Sequence, residues 1–155
     1  MSLLARVIGT WFYLGYVPKG PGTAGSLGAL LVALPLYTHH GFTPIMFAAL
    51  AAAALFPSIW AADRMAMDTN SKDPQTVVVD EVVGQWIALA GAWDLSRWPQ
   101  WLAAFILFRL FDIWKPWPVR ALEKVPGGAG IVLDDVMAGI YAALVLFAAG
   151  WFTRL

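Results

Sequence analysis

The feature that most constrains the fold is a long stretch without Asp, Glu, Lys or Arg, residues 20–62, between Lys19 and Asp63. About 20 apolar residues of α-helix cross the hydrocarbon core of a bilayer, so this stretch is long enough for two spans. The motif HHGFTP at 39–44 contains Gly41 and Pro44, which favour a turn. The stretch therefore predicts a pair of membrane spans, at about 25–38 and 43–62.

The composition of the whole chain also indicates an integral membrane protein. Of the 155 residues, 60% are apolar and 13% are charged, whereas soluble domains have about 45–50% and 25%. The mean hydropathy is +0.67. The absence of cysteine excludes disulfides and thiol catalysis. A net charge of zero and the lack of a basic run argue against nucleic-acid binding.

Three further apolar segments complete the predicted bundle. They cover residues 76–93, 98–115 and 131–152, with a short amphipathic segment at 116–130. The aromatic residues of 1–17 are typical of a helix at the membrane interface. We therefore predict an all-α integral membrane protein, a single domain over 1–155. It is a compact bundle of about five transmembrane helices plus an N-terminal interfacial helix.

Lysine and arginine positions predict the orientation, because cytoplasmic loops carry an excess of both. With a cytoplasmic N-terminus, seven of them fall on the cytoplasmic side: Arg6, Lys19, Arg64, Lys72, Lys115, Arg120 and Lys124. Only Arg97 and Arg154 then fall outside. The sequence predicts a multi-pass protein with its N-terminus in the cytoplasm.

Charged residues inside the spans gather at one level of this bundle. A charged side chain at the centre of a membrane helix costs about 2.5–3.5 kcal/mol on the insertion scale, so such residues usually have a function. The predicted topology places all of them near the cytoplasmic ends of spans: Asp80, Glu81, Arg109, Asp112, Lys115, Asp134 and Asp135. The sequence therefore predicts a site on the cytoplasmic face.

The residue types in this cluster favour metal-assisted chemistry on a phosphate. Carboxylates without histidine or cysteine are ligands for Mg²⁺, Ca²⁺ or Mn²⁺ rather than zinc. Arg109 and Lys115 are suited to bind phosphate oxygens. The segment KGPGTAGS, residues 19–26, offers Lys19, Thr23 and Ser26 as further phosphate contacts.

Each charged motif also has a purely structural interpretation. Asp80 and Glu81 favour the first turn of any helix. Arg109 and Asp112, three residues apart, suit an ion pair on one helix face. Asp134 and Asp135 could cap the last span. The residues alone leave these alternatives open.

Four motifs together resemble the bacterial phosphatidylglycerophosphatase A family. They are PKGPGTAGSLGAL (18–30), DPQTVVVDEVVGQWIAL (73–89), FRLFDIWKPWPVR (108–120) and GGAGIVLDDVMAGI (127–140). The resemblance implies a Mg²⁺-dependent phosphatase of the bacterial inner membrane. Such an enzyme hydrolyses phosphatidylglycerophosphate to phosphatidylglycerol and inorganic phosphate, on the route to cardiolipin.

Carried over by motif, the resemblance implies an acidic core of Asp80, Glu81, Asp134 and Asp135. Arg109, Asp112 and Lys115 are its implied partners. We infer that the four acidic residues bind Mg²⁺, that Arg109 and Lys115 hold the phosphate, and that water attacks the phosphorus in line. The alternative mechanism, which the residues leave open, proceeds through a phospho-aspartyl intermediate. The partners are the lipid substrate and membrane lipids, and a homo-oligomer is compatible with the sequence.

Two other classes of protein would show a similar acidic cluster. A small transporter or channel for divalent cations would need polar residues along a path to the far side. A membrane scaffold held by structural ion pairs would need no metal. Beyond the cytoplasmic third the predicted spans are apolar, which favours the enzyme.

Overall fold

The computed structural model describes residues 2–153, and no β-strand occurs in that range, which confirms the all-α prediction. Arg154, counted above on the external side, lies outside the described residues. The helices are α1 (Leu3–Gly9), α2 (Pro21–His40), α3 (Pro44–Thr69), α4 (Val79–Leu89), α5 (Trp98–Trp114), α6 (Val119–Leu122) and α7 (Gly128–Thr153).

Two of these helices are long and apolar enough to cross a membrane, Pro44–Thr69 and Gly128–Phe152. They support a membrane protein, but the predicted five-span bundle is not confirmed. The segment predicted as a span at 76–93 contains a helix of only 11 residues, α4. Its length of about 16 Å is roughly half of the hydrocarbon thickness.

Helix α4 lies at the centre of the fold. Nine of its eleven residues are buried, and it packs against α2, α3, α5 and α7. A helix surrounded by protein is apolar on every face, so its sequence resembles that of a membrane span. Hydropathy therefore could not separate the buried helix from a lipid-facing one.

Glycines bring α4 and α7 into backbone contact. A Cβ atom added at Gly84 would lie 2.7 Å from the carbonyl oxygen of Asp135, and one added at Gly139 would collide with the carbonyl oxygen of Gly84. Small residues permit such close approach between apolar helices. This contact places the acidic first turn of α4 beside the paired aspartates of α7.

The two ends of the bundle differ in character. At one end the side chains of Trp93 and Gln100 close the α4–α5 loop: Trp93 Nε1 donates to the Phe147 carbonyl at 2.7 Å, and Gln100 Oε1 accepts from Trp93 N at 2.7 Å. The opposite end carries the charged cluster predicted from the sequence. Between the ends lies a buried apolar core that includes Val82, Leu89 and Phe108.

The N-terminal segment consists of α1 and a 3₁₀ turn (Leu14–Tyr16), joined by a left-handed turn. Exposed Leu3, Leu4 and Phe12 support the predicted interfacial position. The Gly9 carbonyl accepts a hydrogen bond from Val78 N at 2.8 Å. The segment thereby fixes the loop that leads into α4.

Candidate active site

A cleft of about 450 Å³ opens at the charged end of the bundle. All seven residues of the predicted cluster line it, contributed by α4, by α5 with its C-cap residue, and by α7: Asp80, Glu81, Arg109, Asp112, Lys115, Asp134 and Asp135. The structure thus brings together residues that are up to 55 positions apart in the sequence.

Three carboxylates form the acidic centre of the cleft. One oxygen each of Asp80, Glu81 and Asp135 lies within 4.8 Å of the others, and we call these residues the acidic triad. Asp80 and Asp135 are 8% and 4% exposed. Asp80 Oδ1, Glu81 Oε2 and Asp135 Oδ2 are buried without a hydrogen-bond donor. Because buried acceptors normally have partners, this arrangement fits a bound cation.

The structural alternatives for the acidic motifs can now be judged. Asp80 and Glu81 do lie in the first turn of α4, but an exposed helix start would not explain their burial against Asp135. Asp134 and Asp135 do not cap α7, because that helix begins six residues earlier, at Gly128. The carboxylate that binds the first amide is Asp63, whose Oδ1 accepts from Gly128 N at 3.0 Å.

Asp134 differs from the acidic triad in its partners. Its Oδ2 lies 2.8 Å from Lys115 Nζ, and its Oδ1 accepts from Asp135 N at 3.0 Å. Both oxygens therefore have donors within the protein. Metal binding by Asp134 stays a prediction, and its observed contact is with Lys115.

Lys115 bridges two acidic residues at the rim of the cleft. It ends α5 in a left-handed conformation (φ 50°), and its Nζ also lies 3.5 Å from Glu123 Oε1. Glu123 was missed by the sequence analysis, because its approach depends on how the chain folds back after Lys115. The side chain of Lys115 is 24% exposed, so an incoming anion can reach it.

Arg109 lies between the acidic triad and Asp112. Its NH1 is 2.6 Å from Asp112 Oδ2 and 3.8 Å from Glu81 Oε1. The predicted ion pair with Asp112 is therefore present. The Nε atom of Arg109 is buried without a hydrogen bond, and the side chain lines the cleft. Arg109 thus retains Nε as a donor for a ligand.

The N-terminus of α2 forms another wall of the cleft, through Gly20, Pro21 and Gly22. A Cβ atom at Gly22 would collide with Glu81 Oε1 and would lie 3.1 Å from Arg109 NH1. Only glycine lets the helix start approach these side chains so closely. The first turn of a helix has unpaired N–H groups and a positive dipole end, which favour an anion.

Three predicted phosphate contacts are not among the residues that line the cleft. Lys19 and Thr23 are exposed beside it. Ser26 is buried, and its hydroxyl donates to the Gly22 carbonyl at 3.1 Å. Their role in phosphate binding stays a prediction.

Asp73 and Gln75, in the loop before α4, line the cleft but were not predicted as site residues. Partial burial raises the pKa of the Asp73 carboxyl above its ordinary value, while nearby Lys115 acts in the opposite direction. The only sign in the sequence that Asp73 and Gln75 belong to the cleft was their place at the start of the motif at 73–89. The cleft therefore combines hard oxygen ligands on one side with anion-binding donors on the other.

Comparison with known proteins agrees with this chemistry. The family model of phosphatidylglycerophosphatase A matches residues 7–150. Two curated relatives carry that name, from Escherichia coli K12 (35% identical, covering 97% of this chain and 86% of the relative) and Haemophilus influenzae (38%, covering 92% and 86%). The resemblance based on four motifs is confirmed.

A third relative, from Bacteroides thetaiotaomicron, is 44% identical over 97% of this chain and 96% of its own length. Its provisional name is phosphatidylinositol-3-phosphatase. No solved structure matches the chain. The chain belongs to the phosphatidylglycerophosphatase A family and is a lipid phosphatase.

Proposed function

We propose that this protein is a Mg²⁺-dependent enzyme that hydrolyses phosphatidylglycerophosphate to phosphatidylglycerol and inorganic phosphate. The reaction belongs to phosphatidylglycerol and cardiolipin biosynthesis. The observation that carries the proposal is the juxtaposition, in one cleft, of the acidic triad and the guanidinium of Arg109. A cation and directional donors together can neutralise and orient a phosphate monoester.

The donor set of the acidic triad fits Mg²⁺. All its candidate ligands are carboxylate oxygens, and the described residues place no histidine in the cleft. When bound, Mg²⁺ supplies a Lewis acid for phosphoryl oxygens and lowers the pKa of water. Asp80, Glu81 and Asp135 would hold it, with Asp134 as the further predicted ligand.

The cationic side chains and the α2 N-terminus would bind and orient the phosphate. Arg109 offers two prongs to equatorial oxygens, and Asp112 fixes its guanidinium. Lys115, held by Asp134 and Glu123, would attract the headgroup at the rim. Lys19, Thr23 and Ser26 complete the proposed phosphate-binding set.

The location of the cleft favours an enzyme over a cation channel. Beyond the acidic triad the buried side chains of α4 are mostly apolar, including Val82, Val83 and Leu89. A permeation path would need polar groups through this region. We place the cleft at the cytoplasmic face of the bacterial inner membrane, in a multi-pass protein with a cytoplasmic N-terminus.

The Bacteroides relative supplies a second candidate substrate, phosphatidylinositol 3-phosphate. Both candidates are phosphate monoesters on the headgroup of a phospholipid. The cleft volume of about 450 Å³ lies within the range of pockets for small-molecule groups. The two candidates therefore differ in the alcohol that leaves, not in the chemistry at phosphorus.

The test is phosphate release by the purified protein from both lipids, presented in the same detergent at equal concentration. We expect a higher kcat/KM for phosphatidylglycerophosphate. Higher kcat/KM for phosphatidylinositol 3-phosphate would replace the proposed substrate while retaining the phosphatase. Release from neither would contradict the proposed function.

A further inference from the structure

Gln85, in the middle of α4, is a polar residue in the core that does not line the active-site cleft. Its side chain is 0% exposed, and within the described chain both its Oε1 and its Nε2 lack a hydrogen-bond partner. A buried carboxamide without partners lowers the free energy of unfolding, because it has given up its bonds to water. A hydrocarbon side chain would be more stable here, so the presence of Gln85 calls for another explanation.

The neighbours of Gln85 on α4 show which way it faces. A Cβ atom added at Gly84 would collide with the ring of Phe108 in α5, and Trp86 Nε1 donates to the Ala29 carbonyl of α2 at 3.1 Å. Successive residues of an α-helix are turned by about 100°. Gln85 therefore faces the gap between α2 and α5.

The active-site cleft opens at the charged end of this same gap. A Cβ atom at Gly22 of α2 would collide with Glu81 Oε1 and would lie 3.1 Å from Arg109 NH1 of α5. Glu81 precedes Gln85 by one helical turn. Gln85 thus lies directly beneath the wall of the cleft that carries Glu81.

Helix geometry aims the carboxamide of Gln85 at Glu81. Residues four apart lie on one face of a helix, and long side chains lean toward the helix N-terminus, over the residue four positions earlier. Glu81 Oε2 is a buried acceptor without a donor, and Gln85 Nε2 is a buried donor without an acceptor. The two unpaired groups are therefore complementary.

The Glu81 carboxylate lacks a short contact with the cation nearest to it. Its Oε1 lies 3.8 Å from Arg109 NH1, which is longer than a hydrogen bond, and Arg109 is instead held by Asp112 at 2.6 Å. Carboxylates that bind metals are usually oriented by a hydrogen bond from a neighbouring group. Gln85 is the group placed to supply it.

We propose that Gln85 is a positioning residue of the acidic triad. In the cation-bound protein its Nε2 donates to Glu81 Oε2 and orients the carboxylate toward Mg²⁺. This inference rests on the proposed function and extends it, because it makes the affinity for the cation depend on a residue outside the cleft. The alternative is that Gln85 only fills space in the core.

Thermal unfolding in detergent, without substrate and at increasing Mg²⁺ concentration, separates the two. A ligand of the folded state raises Tm in proportion to its affinity and concentration. Gln85→Met keeps the length of the side chain and removes both hydrogen-bonding groups. We expect this variant to need about 10–100-fold more Mg²⁺ for the same rise in Tm, while its Tm in EDTA does not fall, because an unpaired buried group has been removed.

Two further variants make the comparison independent of general damage to α4. Leu89→Val, at a fully buried position one turn further along the same face, should lower Tm in EDTA and retain the wild-type response to Mg²⁺. Gln85→Asn keeps the carboxamide but withdraws it by one methylene. We expect it to need more Mg²⁺ as Gln85→Met does, so the test does not depend on a single variant folding.

A wild-type response to Mg²⁺ in Gln85→Met or in Gln85→Asn would overturn the proposal. So would an equal loss of response in Leu89→Val. If Mg²⁺ did not change the Tm of the wild type at all, the metal dependence in the proposed function would be contradicted instead. The two failures are therefore distinguishable.

Discussion

Asp80, Glu81 and Asp135 place carboxylate oxygens within 4.8 Å of one another, without a hydrogen-bond donor on the innermost oxygens. Such an arrangement is costly unless a cation is bound, because buried like charges repel one another. The acidic triad is therefore expected to have been retained for chemistry rather than for stability.

Amide substitutions test this expectation, because they keep side-chain size and remove the charge. Of Asp80→Asn, Glu81→Gln, Asp134→Asn and Asp135→Asn, at least three should abolish phosphate release while expression and thermal stability are retained. The assay is kcat/KM of the purified variants. Wild-type activity in most of the four would show that these carboxylates are structural.

The ion pair between Arg109 and Asp112 calls for a double-mutant cycle. If Arg109 binds phosphate, Arg109→Gln alone should lower kcat/KM by about 10²–10³, and Asp112→Asn should not rescue it. Arg109→Lys should recover only part, because an ammonium lacks the two-pronged geometry of the guanidinium. A double mutant close to wild-type activity would instead show that the pair only stabilises the fold.

The close approach of α2 to Glu81 and Arg109 leads to a prediction for Gly22. A methyl group there would displace Glu81 or Arg109, and small displacements of catalytic groups cost about 100-fold in rate. We expect Gly22→Ala to lower kcat by that order. Gly41→Ala, where nothing lies within 4 Å of an added Cβ, should affect stability but not kcat; an equal loss of activity in both would refute the steric explanation.

Helix α7 carries two acidic residues of the site, and its first turn is fixed by α3. Asp63 Oδ1 accepts from Gly128 N at 3.0 Å, which satisfies an amide at the start of the helix. We expect Asp63→Ala to lower the free energy of unfolding by about 0.5–2 kcal/mol, and Asp63→Asn to retain most of it, since asparagine also caps helix starts. Thermal unfolding in detergent compares the two. Equal stability of Asp63→Ala and wild type would contradict this role.

The helices differ in how far the sequence predicted them. Turn residues and charge-free stretches located both ends of α2 and α7 and the start of α3 to within four residues, because Gly41 caps α2 and Pro44 opens α3. The end of α3 was predicted seven residues too early, since the helix continues to Thr69. The length of α4 was not predictable, because nine of its residues are buried by protein and burial by protein or by lipid selects the same side chains.

The charged cluster of the cleft was predictable, but its contacts and its neighbours Asp73, Gln75 and Glu123 were not. Seven charged residues stood out because intramembrane charge is expensive. The sequence did not show that the two adjacent aspartates have different partners. Asp134 contacts Lys115, whereas Asp135 lies with Asp80 and Glu81. This division follows from the rotation of α7 against α4, which the contacts of Gly84 and Gly139 fix.

For the whole molecule, the excess of lysine and arginine at the charged end predicts that this end faces the cytoplasm. The chain has no cysteine, so single cysteines at positions 40 and 70 can be labelled in intact cells and in inverted vesicles. We expect position 40 to react from outside and position 70 from the cytoplasm. Labelling of both from the same side would contradict the topology.

The proposed function requires a cation at the acidic triad of the complete protein. The most direct measurement is phosphate release from phosphatidylglycerophosphate by purified protein stripped with EDTA, followed by titration with Mg²⁺. We predict no release in EDTA and full recovery with Mg²⁺, with no recovery when Asp135→Asn is titrated in the same way. Undiminished release in EDTA would contradict the metal-dependent mechanism.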